Sequence, residues 1–124
     1  MAKVKQLTVS LENQPGRLAA VAKILADSKV SILGVLGSTA GAHGSVQVVV
    51  DNITKAKKAL SAAQVSYAVG MLEEVELPNK SGALAEFTAR LAKRGINIDA
   101  VYGTVPKGAK KSVLLFATSK QGRA

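Results

Sequence analysis

The chain contains no cysteine and no tryptophan. Without thiols there is no disulfide frame, no thiolate nucleophile and no cysteine-built metal site. Aromatic residues make up only 3% of the chain, and histidine occurs once, at His43. That inventory offers no metal-ligand spacing and no histidine placed to activate a serine. His43 falls in a glycine-marked loop, where an exposed ring is expected. Long hydrophobic runs are missing too. No stretch approaches the ~20 apolar residues of a membrane helix, and the opening MAKVKQLTVSL has no signal-peptide core. The expected compartment is the cytoplasm. Acidic residues are also scarce. Eight Asp and Glu stand against 17 Lys and Arg, for a net charge of +9. The bias sharpens at the end: Lys107, Lys110, Lys111, Lys120 and Arg123 follow Asp99 with no acid among them.

A chain of 124 residues with 48% hydrophobic content reads as globular, one ordinary domain or two small ones. An internal repeat selects two. Residues 11–35, LENQPGRLAAVAKILADSKVSILGV, align without a gap on residues 77–101, LPNKSGALAEFTARLAKRGINIDAV, 66 residues further on. Nine of the 25 positions are identical, among them Asn13/Asn79, Gly16/Gly82 and Leu18/Leu84. The shared polar and glycine positions gather in one turn, not in a catalytic cluster.

The patterning around that turn predicts the fold. Residues 5–12 alternate as a half-buried strand, and Pro15-Gly16 breaks it. Leu18, Val21, Ala22 and Leu25 form a helical stripe. Residues 30–39 and 46–50 read as strands around a loop marked by Gly41 and Gly44. Asp51 or Asn52 caps a second helix whose stripe is Ile53, Ala56, Leu60 and Ala63. A last strand covers residues 65–69 and ends at Gly70. This is a ferredoxin-like βαββαβ unit, an α+β fold with an antiparallel sheet and helices on one face. The second copy repeats a strand at 71–77, a helix, and strands at 96–105 and 112–117. Thr118 or Ser119 is placed to cap a second helix, but the sequence then stops. The expected domains are residues 1–70, complete, and 71–124, lacking the last helix and strand. One sheet edge of the second copy is left without its neighbour, which calls for cover.

Both copies place Asn-x-x-Gly between a strand end and a helix start: Asn13-Gln14-Pro15-Gly16 and Asn79-Lys80-Ser81-Gly82. A helix N-terminus offers unpaired N–H groups and partial positive charge, suited to a carboxylate. Asparagine offers a donor and an acceptor. Such a turn can hold the carboxylate and ammonium of a free amino acid. Eighteen residues past each asparagine stands another polar residue, Ser31 or Asn97, expected to face the same pocket as its turn. The plainer roles of these residues are a helix cap and a tight turn.

The run ENQPGRL, the helix after it and GINIDAV resemble the ACT domain, a small-molecule regulatory module of amino-acid metabolism. The likeness spans the chain as two tandem copies. It implies a non-catalytic, allosteric amino-acid sensor with no cofactor, no catalytic residue and no metal. It also implies a ligand held where ACT units meet, a homodimer, and a target enzyme elsewhere. Carried over by position, Asn13, Gln14, Pro15, Gly16, Arg17 and Leu18 form one half-site. Asn79, Lys80, Ser81, Gly82, Ala83 and Leu84 form the other. Ser31 and Asn97 match the family's second-strand polar position. The second copy has Ser81 where the first has Pro15, and the first has Ser31 where the second has Asn97.

The competing reading is a basic ferredoxin-like module for nucleic acid or an acidic protein. Sheets that read RNA stack bases on paired aromatics. Here Tyr102 stands alone, opposite Leu36 in the first copy. Glu74 and Glu76 share a strand face and read as a solvated acidic edge, not as an acid/base pair.

Overall fold

A computed structural model describes residues 2–120. It contains strand β1 (Ala2–Glu12), helix α1 (Arg17–Asp27), strands β2 (Ile32–Ala40) and β3 (His43–Val50), and helix α2 (Ile53–Ala62). Strand β4 (Ala68–Pro78), helix α3 (Ala83–Lys93) and strands β5 (Ile96–Thr104) and β6 (Lys111–Lys120) follow. The chain divides into two compact units, one of Lys5–Gly70 and one that joins the stretch from Met71 onward to the first residues of β1. No helix among the described residues is long and apolar enough to cross a membrane.

In the Lys5–Gly70 unit the strand order is β2-β3-β1-β4. β1 and β3 are antiparallel, with Leu7 opposite Val48 and Val9 opposite Val46. These four are essentially inaccessible to solvent and pack with Val21 and Leu25 of α1 and Ala56 and Leu60 of α2. β1 alternates apolar and polar side chains, so one face meets the helices. A two-residue loop, Gly41-Ala42, joins β2 to β3, with Gly41 at φ 63. Helix α2 begins at Asn52, whose side chain accepts from the Lys55 N–H at 3.1 Å.

The other unit has the order β5-β6-β4, with the start of β1 on the far side of β4. Val75 and Leu77 of β4 pack with Ala83, Phe87 and Leu91 of α3 and Phe116 of β6. The Phe87 and Phe116 rings lie 5.2 Å apart at 53°, a tilted pair. Arg90 sits over the Phe87 ring.

Three differences from the sequence-based expectations have physical causes. Residues 65–69 and 71–77 are not two strands parted at Gly70; β4 runs unbroken from Ala68 to Pro78. A lone glycine without a second turn residue does not force a reversal. A Cβ at Gly70 would make only ordinary contact with the Gln6 side chain, at 3.5 Å, so the strand continues through it without a crowded approach. Second, β1 begins at Ala2 and not at Lys5. Residues 2–4 belong with the second unit and lie on the side of β4 away from β6. Third, Thr118 and Ser119 do not cap a helix; both lie in β6, opposite Ile98 and Asn97. Arg123 and the tail around it lie outside the described residues.

Candidate functional site

The shared asparagines have a structural job that is the same in both copies. Asn13 donates its backbone N–H to Ala42 O at 2.9 Å and its side-chain NH2 to Gly41 O at 2.9 Å. Asn79 donates likewise to Lys110 O at 2.8 Å and Ala109 O at 2.9 Å. Each asparagine latches its turn to the hairpin loop beside it. A carbonyl only accepts, so the amide nitrogen must face the loop and the amide oxygen faces away.

The shared glycines are set by backbone conformation. Gly16 has φ 88 and Gly82 φ 87, left-handed values that side chains resist. A Cβ at either would meet no protein atom within 4 Å, so protein packing is not what selects glycine there. Both are N-caps without a capping side chain. Helix α1 therefore starts bare. Arg17 N–H reaches Gln14 O at 3.4 Å and Ala20 N–H reaches Gly16 O at 3.0 Å. The N–H groups of Leu18 and Ala19 have no backbone acceptor among the described residues. The first turn of α1 carries no acid, whereas that of α3 carries Glu86.

The apolar stripes also part from expectation at this point. Leu18 and Leu84 are not core residues; they are 50% and 49% exposed. Val21 and Leu25, and Ala83, Phe87 and Leu91, make the buried faces instead. Two identical leucines are thus half exposed at the same place in two copies, and Leu18 lines a surface feature.

In the first copy that feature is a cavity of about 340 Å³. Asn13, Gln14, Arg17 and Leu18 form one wall, with Leu11 and Glu12 at the end of β1. The end of β2 (Gly37, Ser38, Thr39) and the start of β3 (Gly44, Ser45, Val46) form the other. Its size lies at the small end of ligand pockets, which suits a single small molecule. The Arg17 guanidinium stands 3.3 Å from Gln14 Oε1 and 3.8 Å from Glu12 Oε1. Pro15 and Gly16 shape the turn without lining the cavity.

Ser31 does not share this pocket. Antiparallel pairing puts the end of β1, the end of β2 and the start of β3 together, with Glu12 opposite His43 and His43 opposite Ala40. Ser31 sits at the far end, where its N–H reaches Asp51 Oδ1 at 2.9 Å. The nine residues of β2 separate it from the turn, roughly 25–30 Å at strand rise. The helix runs back along the sheet, so the strand after it starts at the wrong end. Asn97 is parted from Asn79 in the same way: Asn79 lies by Lys110, Asn97 opposite Ser119. Asn97 donates to Asp99 Oδ1 at 2.8 Å, which Ser119 also reaches at 3.1 Å. The end of β2 and the start of β3 were the lining missed from sequence. Strand direction alone points to them, because a hairpin returns its tip to the turn it touches. Elsewhere His43 is exposed, and Glu76 faces Lys111 at 3.4 Å on an open surface.

Comparison with known proteins agrees with this architecture. A family model described as an ACT domain pair matches residues 2–124. The structure is similar to that of a protein from Bacteroides thetaiotaomicron, with a TM-score of 0.89 and 25% identity over 95% of this chain and 81% of that one. It is also similar to the ligand-free regulatory subunit of aspartate kinase from Thermus thermophilus, with a TM-score of 0.63 and 16% identity over 94% and 87%. The corresponding subunit from Thermus flavus gives 0.61 and 16% over 92% and 81%. At 16% identity the last two share the fold. Comparison with curated proteins gives no match.

Proposed function

The chain belongs to the ACT domain-pair family, and from that premise we propose that it is a non-catalytic regulatory protein that binds a free amino acid. The observation that carries this reading is the cavity at the first turn. Its lining brings together Asn13, Glu12 and Arg17 with the apolar Leu11, Leu18 and Val46, beside a helix start that has no capping side chain. Amide donors and the helix dipole suit a carboxylate. An acceptor oxygen and a carboxylate suit an ammonium. The apolar residues suit a side chain.

Regulation follows by linkage. A ligand shifts an equilibrium only by its differential affinity for the two states. The turn and the β2–β3 hairpin are tied together through Asn13, so a ligand seated between them favours their closed arrangement. The output is a change in how the protein presents itself to a partner. The partners of this reading are a second copy of the chain and a target enzyme of amino-acid metabolism, in the cytoplasm. Proteins of the same fold include regulatory subunits of aspartate kinase. A second copy is favoured by β2, a sheet-edge strand that exposes Ile32, Leu33 and Val35. Residues 30–42 contain no charge to guard that edge.

Thermal melting against each free amino acid tests the proposal, with molecular mass measured beside it. A ligand at about 100 times its dissociation constant adds roughly 2.7 kcal/mol, several degrees for a chain of this size. If no amino acid raises the midpoint, the reading fails.

A further inference from the structure

Several residues that line the cavity in one copy are not repeated in its echo. Glu12 of the first turn corresponds to Pro78, and Arg17 to Ala83. Arg17 is exposed, whereas Ala83 is packed into the α3 core. Past the hairpin the correspondence moves by two residues, since Glu12 pairs with His43 but Pro78 with Lys111. Thr39 and Ser45 therefore match Val105 and Val113. Every one of these changes removes a polar or charged group from the second turn. Glu86, in the first turn of α3 where α1 has Ala20, already sets a carboxylate against that helix end.

Resting on the reading that the cavity takes a free amino acid, we propose that Glu12 and Arg17 are its specificity-determining pair. Arg17 engages the carboxylate and Glu12 the ammonium of one zwitterion, and the chain holds one such ligand, in the first unit only. The pair is poised for this. Its charged atoms stand 3.8 Å apart, longer than a good hydrogen bond, with the side chains 49% and 63% exposed. Exposed pairs of this kind contribute little to stability, so a ligand bearing both charges separates them at small cost. The guanidinium fork matches a carboxylate with two parallel donors. A ligand carrying only one of the two charges leaves its opposite number unmatched.

Calorimetric titration of the whole chain with each of the twenty free L-amino acids tests this. The tightest binder is then repeated as its decarboxylated amine and as its deaminated acid, and against Arg17→Gln and Glu12→Gln. The expected result is one site per chain. Each analogue and each variant weakens binding by roughly tenfold or more, and Arg17→Lys recovers part of the loss. Lys58→Gln in α2, outside the cavity lining, leaves affinity unchanged. Arg17 and Glu12 are exposed, so circular-dichroism melts of the variants should match the parent. Two sites per chain overturns the proposal but leaves amino-acid binding standing, as does affinity indifferent to both substitutions. No heat with any amino acid overturns both.

Discussion

The amide nitrogen of Asn13 is held by a carbonyl of the neighbouring loop, and that of Asn79 by its counterpart. Replacing either with alanine should cost about 0.5–1.5 kcal/mol, the net value of an ordinary hydrogen bond. Aspartate is the sharper probe. It keeps the size and loses the donor, so Asn13→Asp should be at least as destabilising as Asn13→Ala in urea unfolding. A stable aspartate variant would contradict the latch. Tyr102 offers a second check at this scale. Burial pushes its phenol above the ordinary 10.0, because the charged phenolate is disfavoured out of water. The folded state thus holds its proton more tightly than the unfolded chain. This contribution to stability is complete below the unfolded value and is lost as pH rises through the folded one. With Tyr67 replaced by phenylalanine, Tyr102 is the single tyrosine. Its phenolate absorbance should emerge at higher pH than that of free tyrosine.

Among the elements, β1 and β4 carry the most weight, because each is longer than one unit requires. Residues 2–4 of β1 stand beside β4 in the second unit, on the side away from β6. Deleting residues 1–4 should therefore speed hydrogen exchange at amides 71–74 while Val46 and Val48, at the centre of the first unit, keep their protection. Equal protection in both chains would show that β4 needs no such neighbour. The helices and strands themselves were legible in the sequence, since Leu7 and Val9 alternate and Val21 and Leu25 recur at helical spacing. What escaped was governed by tertiary geometry. Gly70 carries no local mark that separates a strand glycine from a turn glycine. Leu18 continues the helical stripe by spacing, yet it is half exposed and lines the cavity instead of the core. Ser31 has the right chemistry for a site, but the antiparallel return of the chain sets it at the other end. The Asn-x-x-Gly turns were visible because the chain writes them twice, although the repeat preserves the latch and the left-handed glycine more faithfully than it preserves the cavity.

For the molecule as a whole, the repeat makes two units of one fold, and the proposed ligand pair, Glu12 and Arg17, occurs only in the first. The second keeps Asn79, Gly82 and the exposed Leu84 but has alanine and proline where the first has Arg17 and Glu12. The net charge of +9 aids encounter with an acidic ligand or partner surface in a salt-dependent way and does not by itself select one. The most direct measurement is an amide chemical-shift titration of the intact chain with the free amino acid that most raises its melting midpoint. Ligand should move the amides of Asn13, Gln14, Leu18, Ala19, Thr39 and Ser45, and leave those of Asn79, Lys80, Leu84 and Ala85 in place. Shifts centred on the second turn, or none with any amino acid, would contradict the account.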